Sequence, residues 1–179
     1  MQFKRKIICT ALMVLFAAQS VAAADGVQLY EKKIQSGLIY NFLKYTEWPK
    51  TIGSEDTPFR VCIFGESDPF EGHLNPISGR TAQQRKILLQ YISTPNNIGD
   101  CHLLVVDSRE SGKMLQLLGY LKDKSILTIS DMEGFAKAGG MIEFAKKNGH
   151  IAVNINKSAV DDAHLKINDR MLSLAEVVQ

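Results

Sequence analysis

The sequence lacks the residue patterns by which most small enzymes and nucleotide-binding proteins are recognised. Its 179 residues contain no Gly-x-Gly-x-x-Gly motif, no Gly-Lys-Ser/Thr loop and no Gly-x-Ser-x-Gly elbow. The four histidines are scattered, without the His-x-x-x-His or Cys-x-x-Cys spacing that zinc sites use. These absences argue against phosphate-loop, serine-hydrolase and zinc chemistry. We therefore expect no catalytic residue, no metal and no cofactor.

Long apolar runs are also lacking after the first two dozen residues. The chain begins with the basic stretch MQFKRK, continues with the apolar stretch IICTALMVLFAAQS and reaches small residues in VAAAD. This order is typical of a secretory signal peptide, and the apolar stretch is shorter than the roughly 20 residues of a membrane span. We predict a signal peptide over residues 1–24, cleaved near Ala24, and one exported domain over residues 25–179.

An excess of basic charge is missing from the domain that would remain. The whole chain has 21 Lys and Arg against 19 Asp and Glu, and three of the basic residues lie in the first 24 positions. The remainder is close to neutral and has no cluster of Lys and Arg, which argues against a nucleic-acid partner.

Cysteine is scarce. Of the three cysteines, Cys9 lies in the predicted signal peptide, so export leaves Cys62 and Cys101 as an even pair in an oxidising compartment. A disulfide between these two is the simplest expectation. A pair of free thiols that senses redox state is the alternative.

What the sequence does contain is a regular succession of helix and strand patterns. Apolar runs predict buried strands at FRVCIFG, RKILLQYIS, CHLLVVDS and SILTIS, and the Asn-Gly pair in MIEFAKKNGHIAVNIN predicts a hairpin. Helices are expected at ESDPFEGHLNPISG, RESGKMLQLLGYLKD and DRMLSLAEVV. Asp107 is expected to cap the second of these. Apolar residues three or four apart predict a first helix; they are Val27, Tyr30, Ile34, Leu38, Phe42 and Tyr45.

This succession predicts a single α/β domain with a mixed five- or six-stranded sheet flanked by helices. The end of the first helix, YNFLKYTEWPK, is unusually aromatic and contains the only Trp of the chain. Its large side chains favour packing where the helix meets the sheet, and an exposed aromatic patch for a partner or a ligand is the alternative. The candidate partner- or ligand-binding residues are Tyr40, Tyr45, Trp48, Arg80 and Arg170.

Seven segments in order resemble the YfiR family of periplasmic regulators. They are YNFLKYTEWP, FRVCIFGESDPF, GRTAQQRKI, CHLLVVDS, SILTISDMEGFAKAGGMIEF, VNIN and LKINDRMLSLAEVV. The resemblance implies a periplasmic, non-catalytic protein, often a homodimer, with the family's first disulfide kept as Cys62 and Cys101. No cysteine stands in MIEFAKKNGHIAV, where the family's second disulfide is expected, and this departure puts redox control in question.

The resemblance also implies partners. Such a protein binds the periplasmic sensor domain of a membrane-bound diguanylate cyclase, represses it, and is released through an outer-membrane lipoprotein. A periplasmic small-molecule sensor without a cyclase partner is the alternative function, with a pocket between the first helix, the turn at residues 139–141 and Arg170. An exported enzyme is disfavoured by the missing motifs.

Overall fold

A computed structural model describes residues 28–50, 52, 57–66 and 68–178 of the chain. The predicted signal peptide and its cleavage point near Ala24 lie outside these residues. The α-helices are α1 (28–45), α2 (Met114–Leu121), α3 (Lys157–Asp162) and α4 (Asp169–Leu172). The strands are β1 (Thr46–Glu47), β2 (Phe59–Phe64), β3 (Thr81–Ala82), β4 (Arg85–Ile92), β5 (Leu103–Val106), β6 (Leu127–Ser130), β7 (Ile142–Lys147), β8 (His150–Asn156), β9 (Lys166–Ile167) and β10 (Glu176–Val178).

Eight of these strands form one mixed sheet in the order β10-β8-β7-β6-β5-β2-β4-β3. Strands β4, β2, β5, β6 and β7 are parallel neighbours, whereas β8 returns antiparallel to β7 through the hairpin. The predicted mixed α/β fold is confirmed. The sheet is wider than the expected five or six strands because the short strands β3 and β10 pair at its two edges.

Both faces of the central strands are covered, as expected for parallel strands. Alternate side chains of β2 point to opposite faces of the sheet. Val61 and Ile63 belong to the larger apolar cluster under α1. Cys62 and Phe64 belong to the smaller cluster under α2. This alternation follows from the two-residue period of a strand. The apolar run VCIF, whose four residues are all buried, therefore marks a strand covered on both faces.

The first helix is confirmed, but its buried face differs from the predicted stripe. Ile39, Phe42 and Leu43 are fully buried against the sheet, whereas Tyr30 is 66% exposed. The apolar cluster contacts mainly the C-terminal half of α1. The N-terminal half of α1 borders a cavity and carries polar residues there.

Two predicted helices are wrong in whole or in part. Residues 68–74 form turns, followed by a short 3₁₀ helix at Asn75–Ile77, although Asp68 does accept hydrogen bonds from the backbone of Phe70 and Gly72. The C-terminal segment is helical only in α4. Its remainder forms β10, because main-chain pairing with β8 at the sheet edge outweighs the helical spacing of its apolar residues.

Other local predictions hold. Asp107 accepts a hydrogen bond from the backbone N–H of Arg109 and so caps the 3₁₀ segment Ser108–Lys113 that leads into α2. The hairpin predicted from Asn-Gly is the β7–β8 hairpin.

A disulfide joins Cys62 in β2 to Cys101, which precedes β5, with 5.9 Å between the Cα atoms. Because β2 and β5 are parallel neighbours, this bond lies within the sheet and on the α2 side. The pairing is the one expected from the sequence.

We predict that Cys62→Ser lowers the melting temperature by roughly 10 °C without abolishing folding. The bond closes a loop of 39 residues, and in the chain-entropy model its loss costs about 4 kcal/mol. Cys101→Ser should give the same loss, and the double variant little more. Two free thiols in denatured protein produced in the periplasm would contradict the pairing.

Gly140 is needed for close packing at the entry to β7. A Cβ added there would lie 2.2 Å from a ring carbon of Phe135, a side chain that is fully buried. The neighbouring Gly139 has a φ of +106°, a conformation that favours glycine.

We therefore predict that Gly140→Ala destabilises the fold by roughly 1–3 kcal/mol through overpacking. Gly119→Ala is the matched control, because the added Cβ on helix α2 meets no atom within 4 Å. The control should be neutral or stabilising by up to about 1 kcal/mol. Equal denaturant midpoints for the two variants would contradict this prediction, because they would show that the Phe135 ring moves aside without a loss of stability.

Candidate interaction surface

The side chain of Gln83 joins the β3–β4 hairpin to the end of α1. The amide nitrogen of Gln83 donates to the carbonyl oxygens of Leu43 at 2.8 Å and Thr46 at 2.7 Å. Leu43 lies in the last turn of α1, where carbonyl oxygens have no partner within the helix, so its bond satisfies a group that water or a cap would otherwise have to satisfy. Thr46 already belongs to β1. The segments YNFLKYTEW and GRTAQQRKI, which are separate in sequence, therefore form one surface.

Sequence patterns give little sign of this hairpin. Its two-residue turn consists of Gln83 and Gln84, both with positive φ values of 48° and 66°. Such turns usually contain Asn-Gly or Asp-Gly. Glutamine at both positions is strained, and the bonds from Gln83 to α1 help to hold the turn.

Two cations alternate with two aromatic rings on this surface, which we call the cation–aromatic ladder. The guanidinium carbon of Arg80 lies 4.1 Å from the ring centroid of Tyr40. The Lys44 ammonium lies 5.8 Å from the same ring and 5.2 Å from the ring of Tyr45. The Tyr40 hydroxyl donates to the carbonyl oxygen of Thr81 at 3.0 Å, which fixes the ring against the hairpin.

The ladder brings three of the five candidate residues together and adds one that sequence reasoning missed. Tyr40 and Tyr45 are half-buried against the apolar cluster, and Arg80 is exposed. Lys44 was not predicted, although its position four residues after Tyr40 and next to Tyr45 is the signal that could have found it. The ladder thus combines the two interpretations of the aromatic stretch, because its rings pack inward on one side and meet cations on the other.

The other two candidates lie apart from the ladder. Arg170 is exposed on α4, which begins beside Tyr45 because the backbone N–H of Asn168 donates to the Tyr45 carbonyl oxygen at 2.9 Å. Trp48 packs inward. Its ring centroid is 5.1 Å from that of Phe59, and its Nε1 donates to the carbonyl oxygen of His102 at 3.2 Å.

A buried arginine–histidine pair lies beneath Trp48. Arg85 is 8% exposed and His102 is 7% exposed, and Arg85 Nη2 lies 2.8 Å from His102 Nε2. The guanidinium also donates to Thr57 Oγ1 at 2.9 Å and stacks on the Phe59 ring at 4.0 Å. Within the described part of the chain, no carboxylate lies within 4.0 Å of this guanidinium.

This environment keeps the imidazole neutral. Burial, followed by the positive charges of Arg85 and Arg60, lowers the pKa of His102 to about 4, against an opposing effect of Asp100. Both ring nitrogens face donors, because the backbone N–H of Arg60 lies 3.2 Å from Nδ1. A second ring proton would therefore place another N–H group against a donor.

We predict a loss of stability on acidification that depends on His102. Its pKa is lowered by folding, so the unfolded chain binds the proton more tightly and the contribution of His102 to stability is fully present above about pH 6.5. This contribution is lost as the pH falls from about 6.5 towards 4, by at most about 1.4 kcal/mol per pH unit.

Denaturant midpoints measured across this range for the wild type and for His102→Gln should differ in slope. The variant removes the titrating group and should be the flatter of the two. Parallel curves would contradict a buried neutral imidazole.

The described residues contain no helix that is both long and apolar enough to cross a membrane. They also contain no group of three or more His, Cys, Asp or Glu side chains placed to hold a metal ion. A cavity of about 610 Å³ does lie beside α1, but it is lined by residues 131–137 and by β7. The turn at residues 139–141 and Arg170, expected to border a ligand pocket, are not among its lining residues.

Comparison with known proteins gives one assignment. No curated protein matches the sequence. The model of a protein family described as YfiR/HmsC-like matches residues 32–176, which include most of α1, the β3–β4 hairpin, the disulfide and most of the sheet. That family is periplasmic, regulatory and non-catalytic, and its members act with a partner protein in the control of diguanylate cyclases. Since the match covers most of the chain, the protein belongs to the YfiR/HmsC-like family.

Proposed function

We propose that this protein is a periplasmic repressor that binds the periplasmic sensor domain of an inner-membrane diguanylate cyclase and so lowers cyclic di-GMP and biofilm formation. The observation that carries the proposal is the family match over residues 32–176. Export of the mature domain after cleavage near Ala24, a homodimeric state and release through an outer-membrane lipoprotein form part of the same proposal.

The cation–aromatic ladder is the surface that we assign to the partner. Tyr and Arg are the residue types that most often dominate binding energy at interfaces, and a ring held rigidly loses little conformational entropy on binding. Arg80 and Lys44 have no carboxylate within 4.0 Å in the described chain. Their charges therefore suit an acidic segment of the sensor domain.

Repression by binding is a shift of population. A protein that prefers the inactive sensor conformation lowers cyclase output only to the extent of its differential affinity for that state. About 100-fold preference corresponds to roughly 2.7 kcal/mol of bias. No catalytic step is required, and the interaction should be stoichiometric.

We predict that deleting the gene raises cellular cyclic di-GMP and surface attachment, and that the purified mature protein captures the periplasmic domain of a cyclase encoded nearby. Arg80→Glu should weaken this capture at least about tenfold, because it reverses a charge beside Tyr40. Lys122→Glu makes the same change of charge at an exposed position after α2 and should leave capture unaltered.

Both variants should melt within a few degrees of the wild type, which separates binding from folding. Unchanged cyclic di-GMP after deletion, together with no capture at micromolar concentrations, would favour the alternative, a periplasmic small-molecule sensor without a cyclase partner. If Arg80→Glu captures the sensor domain as well as the wild type does, the protein can still be a repressor, but the ladder is not its contact surface.

A further inference from the structure

A cavity of about 610 Å³ lies between the N-terminal half of α1, the segment 131–137 and β7. We call it the α1–β7 cavity. It opens beyond the carboxyl end of β6, where β7 continues past its shorter neighbour. Crevices of this kind, outside the carboxyl ends of parallel strands, are common ligand sites in α/β proteins, and the volume suits a small molecule.

Most of the charges around the cavity are already paired. Lys32 Nζ lies 3.3 Å from a carboxylate oxygen of Asp131, and Lys146 Nζ lies 2.6 Å from a carboxylate oxygen of Glu31. These ion pairs join α1 to the two other walls. They leave the positive charge of Lys32 and Lys146 unavailable for an anionic ligand, whereas Lys137, which also lines the cavity, is exposed and forms no ion pair within the described chain.

The buried acid of the cavity is not paired. Glu143 is 5% exposed, and one of its carboxylate oxygens accepts a hydrogen bond from the backbone N–H of Ala136 at 3.0 Å. No Lys or Arg of the described residues lies within 4.0 Å of this carboxylate. Burial of a carboxylate without a cation costs desolvation free energy. The site therefore favours a ligand with a positively charged group.

The carboxylate is also held in place. Asn156 Nδ2 donates to the carbonyl oxygen of Ala136 at 2.8 Å, so the backbone of Ala136 is anchored by two buried side chains from adjacent strands. A fixed acceptor loses little freedom when a ligand binds.

A second polar group of the cavity has unused capacity. Gln35 on α1 is 5% exposed, lines the cavity, and its Oε1 is buried without a hydrogen-bond partner. The Gln35 amide oxygen and the Glu143 carboxylate are therefore both hydrogen-bond acceptors among the lining residues of one cavity.

We propose that the α1–β7 cavity binds a small aliphatic primary ammonium compound. The ammonium group carries three N–H donors and a positive charge, which match the Glu143 carboxylate and the Gln35 amide oxygen. Phe144, Ala145 and Val178 also line the cavity and provide apolar contact for a short hydrocarbon chain. This inference does not depend on the identity of the protein partner.

Calorimetric titration of the mature protein with putrescine and with n-butylammonium tests the proposal. We expect saturable binding of at least one of the two, and none of 1,4-butanediol, which has a similar shape without charge, or of succinate. Glu143→Gln should weaken binding at least tenfold, since the new amide still accepts from Ala136 but carries no charge. Asp162→Asn, which removes an exposed carboxylate on α3, should change nothing.

Thermal melting shows whether each variant is folded. If Glu143→Gln does not fold, Gln35→Leu serves instead and should weaken binding several-fold. The proposal is overturned if neither ammonium compound binds the wild type at 10 mM or below, if succinate binds in preference, or if binding is the same in the wild type and in the folded cavity variants. Each of these results leaves the proposed cyclase repression untouched, because capture of the sensor domain is measured without ammonium compounds.

Discussion

The structure depends on how the C-terminal end of α1 is held. The helix ends over the central parallel strands, and the carbonyl oxygens of Leu43 in its last turn and of Thr46 in β1 accept from the amide of Gln83 in the β3–β4 hairpin. Without that side chain, the Leu43 carbonyl oxygen would need water or another cap as its partner. The Tyr40 hydroxyl adds a second bond to the hairpin through the Thr81 carbonyl oxygen, and Arg80 of the hairpin stacks on the Tyr40 ring. These contacts together hold the ladder at the end of the helix.

The buried Arg85–His102 pair supports the same region from below. It connects the N-terminal ends of β4 and β5. The His102 carbonyl oxygen also accepts a hydrogen bond from Trp48 Nε1. Its stability rests on a neutral imidazole and on carbonyl and hydroxyl acceptors from the segment before β2. The Arg85 guanidinium helps to fix this arrangement of the strand ends, because it donates to Thr57 and Pro58 while it contacts His102.

Much of the fold could be predicted from the sequence, for identifiable reasons. Strands β2 and β5 contain the apolar runs VCIF and LLVV, and the β7–β8 hairpin contains Asn-Gly, so local signals suffice. The segment after α4 could not be predicted, because β10 exists only through its pairing with β8. The positive-φ turn at Gln83 and Gln84 is stabilised by contacts with α1 and carries no local signal.

The candidate site likewise contains residues that the sequence indicated and residues that only the fold brings together. Aromatic composition indicated Tyr40 and Tyr45, but it could not separate them from Trp48, which the fold turns inward. Lys44 joins the ladder only because the helix places it between two rings. Arg85 and His102 were missed because a lone arginine at the start of β4 and a lone histidine before β5 give no sign in the sequence that they meet.

The two functional surfaces that we propose lie on one helix. Residues 28–35 of α1 border the cavity that holds Glu143, whereas residues 40–45 carry the rings of the ladder. Ion pairs fix the first half of the helix to the loop after β6 and to β7, and apolar packing fixes the second half to the sheet. A ligand in the cavity and a partner on the ladder would thus contact the same rigid element from different sides.

The central claim is that the ladder of this YfiR/HmsC-like protein contacts the periplasmic domain of a diguanylate cyclase. The most direct measurement is photo-crosslinking in living cells, with a photoreactive amino acid at position 44 or, as a control, at position 122. We expect position 44 to yield a covalent adduct with a membrane-bound cyclase, identified by mass spectrometry, and position 122 to yield none. A cyclase adduct at position 122 but not at position 44, or no cyclase adduct at either, would contradict the account.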